Sequence, residues 1–320
     1  MWAAPGDGVG LKTLWTDAPD AMFRLAKLVR DGSVSQAECD DLRHFIEHGW
    51  LIWRGAIPAA SIDAFERDIH SLHKHPGLFF RTDHLNPGQP NRTAHDQRPN
   101  RFESFFDLYV NLSSSREVRL HPRICRFLSL VFGTPPVAMQ QLLFQGSNDH
   151  GVHQDTSVVA VEDPLLLAAT WIALQDVTEG SGELAFYDRS HTLPHYLFQD
   201  GSKRFTQEPG VRAAYEASLR QACEKAGMAY QRFLAKKGDV FFWAADLVHR
   251  SHPRTLPAET PRLSCVTHYH PATTQPFWHR FHPDHRAVLP FESRASFESY
   301  HYVLTEGTPG IMQPQSPTTA

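Results

Sequence analysis

Apolar positions fall at helical spacing through the first third of the chain and at strand spacing after it. From residue 21 to about 28, and again from Ser35 to His48, apolar side chains recur every three or four residues, with Leu42, Phe45 and Ile46 in the second run. Ser35 with Glu38 has the form of a capping box, in which the two residues satisfy each other's backbone N–H groups. Gly49 then ends the helix, and Trp50-Leu51-Ile52-Trp53 reads as a short strand. Pro58 followed by Ile62, Phe65 and Ile69 predicts another helix. Val118, Ile124, Leu128 and Val131 predict one over 116–132, closed by Gly133. Between 73 and 100, Pro, Asn, Asp and His replace any period, and loops this long are commonly lids or binding elements.

After Pro136 the pattern changes. Short apolar runs at 139–145, 152–161, 166–174, 183–187, 240–243 and 263–269 read as strands between Gly, Asp, Asn and Pro. Residues 211–234 break the series with a helical period (Tyr215, Leu219, Cys223), inside an insertion spanning about 199–235. Residues 1–20 read as a loose leader and 306–320 as a disordered tail, leaving one domain over 21–305. Helices followed by many short strands predict a mostly β fold, an antiparallel core with flanking helices.

Composition narrows the function classes. Apolar residues are 41% and charged residues 21% of the 320, ordinary for a soluble globular protein. The formal net charge of −4 offers no electrostatic case for nucleic acid or an anionic membrane surface. Cys39, Cys125, Cys223 and Cys265 form no CxxC pair, which argues against a zinc knuckle or disulfide framework and fits a reducing compartment. The first residues show no basic segment followed by an apolar one, and no apolar run is long enough to span a bilayer. A cytoplasmic protein is expected, acting on a small molecule, with its oligomeric state open.

The 20 histidines raise the prior for metal chemistry and also the rate of accidental motifs. In an extended segment, residues two apart point the same way, so His153 and Asp155 can present an imidazole and a carboxylate to one ion. A second histidine would complete a two-histidine, one-carboxylate triad, which leaves positions open on non-haem Fe(II). With 20 His and as many Asp, chance alone supplies about one His-x-Asp, and two occur, the other being His282-Pro283-Asp284. What singles out the first is its company. About 95 residues on comes an apolar strand and then Leu247-Val248-His249-Arg250-Ser251, and thirteen residues past His249 lies Arg262. A guanidinium there can hold a carboxylate through two parallel hydrogen bonds.

From about residue 36 to 275 the chain resembles the phytanoyl-CoA dioxygenase-like family of Fe(II)/2-oxoglutarate oxygenases. The resemblance runs through Phe45–Pro58 (FIEHGWLIWRGAIP), His153-Gln154-Asp155 and Trp171-Ile172-Ala173-Leu174-Gln175-Asp176. It continues through Gly182-Glu183-Leu184 and Ser190-His191 to His249-Arg250-Ser251, Arg262 and His268-Tyr269-His270-Pro271. It implies a double-stranded β-helix (jelly-roll, cupin-like) core over about 136–275. It also implies His153, Asp155 and His249 as Fe(II) ligands and Arg262 as the clamp on 2-oxoglutarate. Ser251 and Trp171 match positions lining the co-substrate pocket, and Gln140 or Gln141 is a further candidate to touch it. The implied activity is hydroxylation of a C–H bond of a small-molecule metabolite with O₂, releasing succinate and CO₂, and the His, Arg and Asn content of 73–100 and 199–232 leans to a polar or anionic substrate. Related halogenases carry Ala or Gly at the carboxylate position, so Asp155 points to hydroxylation or a related oxidation. The chain departs from the family at Tyr187-Asp188-Arg189, where a Pro-Gly turn is usual, and at Arg250, where a small residue is usual.

Other readings compete at several positions. His252 rivals His249 as third ligand, and His268 and His270 share strand parity with Arg262. Trp171 reads equally as core packing. Asp149, His150 and Asp246 read as loop residues, Cys265 as a buried hydrophobe, and Arg92, Arg98, Arg101, Arg119 and Arg123 as solvated basic surface or as contacts for an anionic substrate. A metal-binding jelly-roll without catalysis, acting as a small-molecule binder or sensor, is the alternative function; a zinc hydrolase is a third, against which the Arg262 clamp speaks.

Overall fold

The predicted helices and strands come first in the order the chain dictates. In the computed structural model α1 is Ala21–Arg30 and α2 is Gln36–His48. The Ser35–Glu38 capping box is formed, and Gly49 closes α2 in the left-handed region at φ 76°. Strand β1 (Trp50–Trp53), α3 (Ala59–Ser71), β2 (Ser104–Phe106), α4 (Ser113–Arg119) and α5 (Pro122–Phe132) follow. Then come β3 (Pro136–Gln145), β4 (Ala168–Ala173), β5 (Leu184–Tyr187), α6 (Val211–Lys225), β6 (Tyr230–Phe233), β7 (Val240–Ala244), β8 (His249–Ser251) and β9 (Leu263–Pro271). The described residues are 2–3, 10–71, 79–82, 92–93, 104–146, 151–159, 161–204, 208–257, 260, 262–280, 287–299, 302–305 and 308–312.

The strands form two principal sheets. The larger runs β1-β7-β4-β9-β3-β2, antiparallel at each of these pairings, and continues into Phe79–Thr82. The smaller runs β6-β5-β8, and an antiparallel bridge from His153 to His249 adds the His-x-Asp segment beside β8. Alternation along β7 separates two apolar compartments, because successive side chains leave a strand on opposite faces. Val240, Phe242 and Ala244 pack with Leu42, Phe45, Phe127 and Leu128 of the helices. Phe241 and Trp243 pack with Leu184, Phe186 and Phe233 of the smaller sheet. β4 repeats the division, with Ile172 toward the helices and Trp171 toward the smaller sheet. With both faces covered, β4, β7 and β9 are buried at every residue, so β4 and β7 read as nearly continuous apolar runs, whereas β9 carries buried polar residues, His268 among them. This is the mostly β, jelly-roll arrangement with flanking helices.

Several elements differ from expectation. The predicted strand at 152–161 is absent: Gln154 is extended (φ −112°, ψ 140°) and a 3-10 turn at Asp155–Ser157 follows it. The buried Gln154 side chain donates to the Asp246 carbonyl and Ser157 Oγ donates to the Gln154 carbonyl, so side chains take over the local hydrogen bonding. The helix predicted over 116–132 is two helices, because Pro122 lacks an N–H and starts a new one at its first turn. The insertion ends its helix at Lys225, turns at Gly227, and then supplies β6 to the smaller sheet. Residues 10–20 are docked rather than loose: Leu14 and Thr16 are buried and Trp15 Nε1 donates to the Leu130 carbonyl. In the expected tail, Thr308–Met312 pairs with Tyr302–Thr305, anchored where Tyr302 is fully buried. Apart from 79–82 and 92–93, the loop predicted at 73–100 lies outside the described residues, as do 306–307 and 313–320. Among the described residues no helix is long and apolar enough to cross a membrane.

Candidate metal and co-substrate site

The bridge between His153 and His249 brings the two imidazoles together, with ring centroids 4.3 Å apart. Each ring is fixed by its Nδ1, which lies 2.8 Å from the Gly151 carbonyl in His153 and 2.9 Å from the Leu247 carbonyl in His249. A carbonyl only accepts, so Nδ1 carries the hydrogen and Nε2 keeps its lone pair. Those Nε2 atoms lie 3.8 Å and 3.6 Å from Asp155 Oδ1. Three ligand atoms therefore converge within 4.8 Å of one another, all of them acceptors. Such a set repels itself unless a cation sits among them, and two imidazoles with one carboxylate suit Fe(II) with further positions open.

The other oxygen of Asp155 is also occupied. Trp243 Nε1 donates to Oδ2 at 2.7 Å, and His268 Nε2 approaches the same atom at 3.3 Å. Burial alone would raise this carboxyl, but attraction from the His268, His249 and His153 rings in their protonated forms outweighs it and holds it well below the usual carboxylate range; in the neutral, metal-binding form of His249 and His153 a cation takes over that part.

A cavity of about 270 Å³ opens onto the cluster, bounded by both sheets and by α6. Arg262, Ser251, Trp171 and Gln140 line it with the three candidate ligands. Ser251 shares the face of His249 on β8, two residues on. Arg262 is 5% exposed, donates Nη1 to the Gly146 carbonyl at 3.2 Å, and lies 5.8 Å from the centre of the Trp171 ring. Its Nε has no partner among the described residues. Burial lowers the guanidinium to about 10, against the attraction of Glu183, so it stays charged at neutral pH. A buried cation with a donor to spare is what an incoming carboxylate requires. Trp171 is thus both core and cavity wall.

Gln141 is a correction. It is fully buried on the opposite face of β3, its Oε1 accepting from Leu108 N–H and its Nε2 donating to the Phe105 carbonyl. Strand parity decides this: Gln140, Leu142 and Phe144 line the cavity and Gln141 ties the sheet to the helical side. His252 lies outside the cavity against the Tyr230 hydroxyl at 2.9 Å, which leaves His249 at the cluster. His268 lines the cavity, but a register shift after it sends His270 into a separate buried chain with Glu298 and His279. Asp246 is not a solvated loop residue; it is buried and bonded to Lys203, His195 and Thr156. Arg119 is buried as well, donating to Ser115 and Thr267, and Arg123 stacks over Trp53. Cys265 is buried, as expected. Asp149, His150, Arg98, Arg101 and the second His-x-Asp at 282–284 lie outside the described residues, and nothing is described of the Arg92 side chain. The sequence did not single out Trp243 or Arg212 of α6. Trp243 sat in an apolar strand indistinguishable from core, and Arg212 on a helix whose docking the sequence does not encode.

Two facing sheets with a two-histidine, one-carboxylate cluster beside the smaller one make a double-stranded β-helix with a candidate metal site. The chain belongs to the phytanoyl-CoA dioxygenase (PhyH) family, whose profile matches residues 45–257. It is accordingly a 2-oxoglutarate-dependent non-haem iron oxygenase, with iron as cofactor and 2-oxoglutarate and O₂ as co-substrates. Solved structures with the same fold include the epimerase SnoN in complex with Fe³⁺, alpha ketoglutarate and nogalamycin RO. It is 19% identical with a TM-score of 0.55, over 75% of this chain and 86% of that one. The alpha ketoglutarate dependent carbocyclase SnoK from nogalamycin biosynthesis is 16% identical with a TM-score of 0.55, over 77% and 87%. EctD from S. alaskensis with bound Fe is 16% identical with a TM-score of 0.52, over 76% and 79%. No curated protein sequence matches the chain.

Proposed function

We propose that this protein hydroxylates a C–H bond of an anionic small-molecule metabolite, using Fe(II) held by His153, Asp155 and His249. The observation that carries the reading is the convergence of three acceptor atoms on a cavity that also contains a buried, charged Arg262. Bound Fe(II) with 2-oxoglutarate and O₂ supplies the oxidising power, and succinate and CO₂ leave as co-products. The chain's own residues do the positioning. The carbonyls of Gly151 and Leu247 hold both imidazoles in the tautomer that presents Nε2. Arg262 and Ser251 grip the distal carboxylate of 2-oxoglutarate, with the Trp171 ring beside the guanidinium. Val158, Val159, Leu184 and Val266 give the cavity apolar walls that exclude water from the reacting carbon.

Charge supports the anionic substrate. Arg212, Arg250 and Arg262 line the cavity, whereas Asp155 is its one carboxylate among the described residues. With Arg262 and Asp155 assigned to co-substrate and metal, Arg212, in an exposed pair with Glu216 at 2.9 Å, is the cavity-lining guanidinium we assign to the substrate.

An anaerobic mixture of protein, Fe(II) and 2-oxoglutarate should develop the weak visible absorption of the 2-oxo acid chelate. Absence of that band with iron bound and 2-oxoglutarate saturating ends the proposal. With a metabolite panel, succinate release should be strongest for carboxylates or phosphates, and the product should gain one oxygen atom. SnoN is an epimerase and SnoK a carbocyclase, so a product of unchanged mass or one short of two hydrogens would reject hydroxylation. Arg212→Ala should raise KM for the anionic substrate roughly tenfold, equivalent to about 1.4 kcal/mol, without changing KM for 2-oxoglutarate. An equal rise for a neutral analogue would count against charge recognition.

A further inference from the structure

We infer that Trp243 and His268 are positioning residues that hold Asp155 Oδ2 away from the metal, so that Oδ1 alone is presented beside the two imidazoles. The inference rests on the proposed assignment of His153, Asp155 and His249 as ligands. Indole has one N–H and no acceptor, and Trp243 is 2% exposed, so Asp155 Oδ2 at 2.7 Å is the partner that satisfies it. Turning the carboxylate would strand that N–H in the core. His268, 3% exposed and paired with Gln140 in the sheet register, approaches the same oxygen at 3.3 Å from strand β9, which β4 separates from β7. At that distance a proton on His268 Nε2 would face a carboxylate oxygen, which can only accept. One hydrogen-bond donor and one close imidazole, from two different strands of the larger sheet, thereby determine which oxygen faces the imidazoles of the smaller one. The Trp243 ring also lies 5.2 Å from the His249 ring, so one side chain touches two of the three ligands.

Both residues project from the interior of the larger sheet, where packing on each side leaves them little freedom. Releasing Oδ2 would let the carboxylate rotate, and outer partners of this kind are commonly worth about ten- to a hundredfold in metal affinity.

Co(II) titration of the metal-free protein tests this without turnover. Trp243→Phe keeps an aromatic side chain but removes the N–H together with the pyrrole half of the indole; it should weaken Co(II) binding about ten- to a hundredfold and alter the visible spectrum of the bound Co(II). His268→Leu should do the same, while His268→Gln, which restores an N–H donor, should return to within about threefold of the wild type. If His268→Leu does not fold, His268→Gln compared with Trp243→Phe carries the same contrast. Unchanged affinity and spectrum in Trp243→Phe, or equal losses in His268→Leu and His268→Gln, overturn the inference. Asp155→Ala is the control. If it binds Co(II) like the wild type, the ligand assignment itself fails. If it loses Co(II) while Trp243→Phe does not, only the positioning role fails.

Discussion

Asp155→Ala should bind Fe(II) at least about a hundredfold more weakly than the wild type and release succinate at least about a thousandfold more slowly, the latter corresponding to ~4 kcal/mol of barrier. The substitution removes the one negative charge among the three converging atoms and leaves two neutral imidazoles to hold a dication. It also leaves the Trp243 N–H without its acceptor, and a buried donor left unpaired costs about 1–3 kcal/mol. The variant should therefore melt at a lower temperature even without metal. Equilibrium dialysis of iron and a succinate assay measure the two losses separately. Turnover within tenfold of the wild type would show that another group supplies the third ligand.

The second large effect is confined to the co-substrate. Arg262→Ala should raise KM for 2-oxoglutarate by about a hundredfold or more, because each hydrogen bond to a charged group is worth roughly 1.5–3 kcal/mol. Fe(II) affinity should stay within a few-fold of the wild type, since Arg262 contacts Gly146 and Trp171 rather than the ligands. Arg262→Lys should recover part of the loss: it keeps the charge but not the planar fork. A variant that loses iron and 2-oxoglutarate to the same degree would mean that Arg262 supports the fold of the cavity rather than gripping a carboxylate.

Much of the candidate site was legible before any tertiary structure. His153, Asp155, His249, Ser251 and Arg262 are what the resemblance to the family implies, and all five lie around one cavity. The local elements were legible to a similar degree. The capping box at Ser35 and the stop at Gly49 are written in adjacent residues, so they form as the sequence predicts. Errors arose where side chains far apart in the chain decide local structure. The segment at 152–161 looked like a strand because its apolar residues favour one, yet Gln154 is spent on Asp246, ninety-two residues away, and the backbone turns at Asp155.

The sequence by itself determined the chemistry this protein has available: which residues can ligate, which guanidinium can clamp, and which apolar runs can build two covered sheets. Side-chain type and short-range periodicity suffice for the apolar runs, whereas the ligands and the clamp were singled out by motifs spread over about a hundred residues and by the family resemblance they carry. Only the tertiary structure decided how these groups meet. It chose Gln140 over Gln141 by strand face, His249 over His252 by the reach of the ring, and His268 over His270 by a register shift in β9. It also brought the Trp243 N–H to Asp155 across eighty-eight residues. Those choices depend on strand pairing and burial between distant segments, where a shift of one residue reverses the face a side chain occupies.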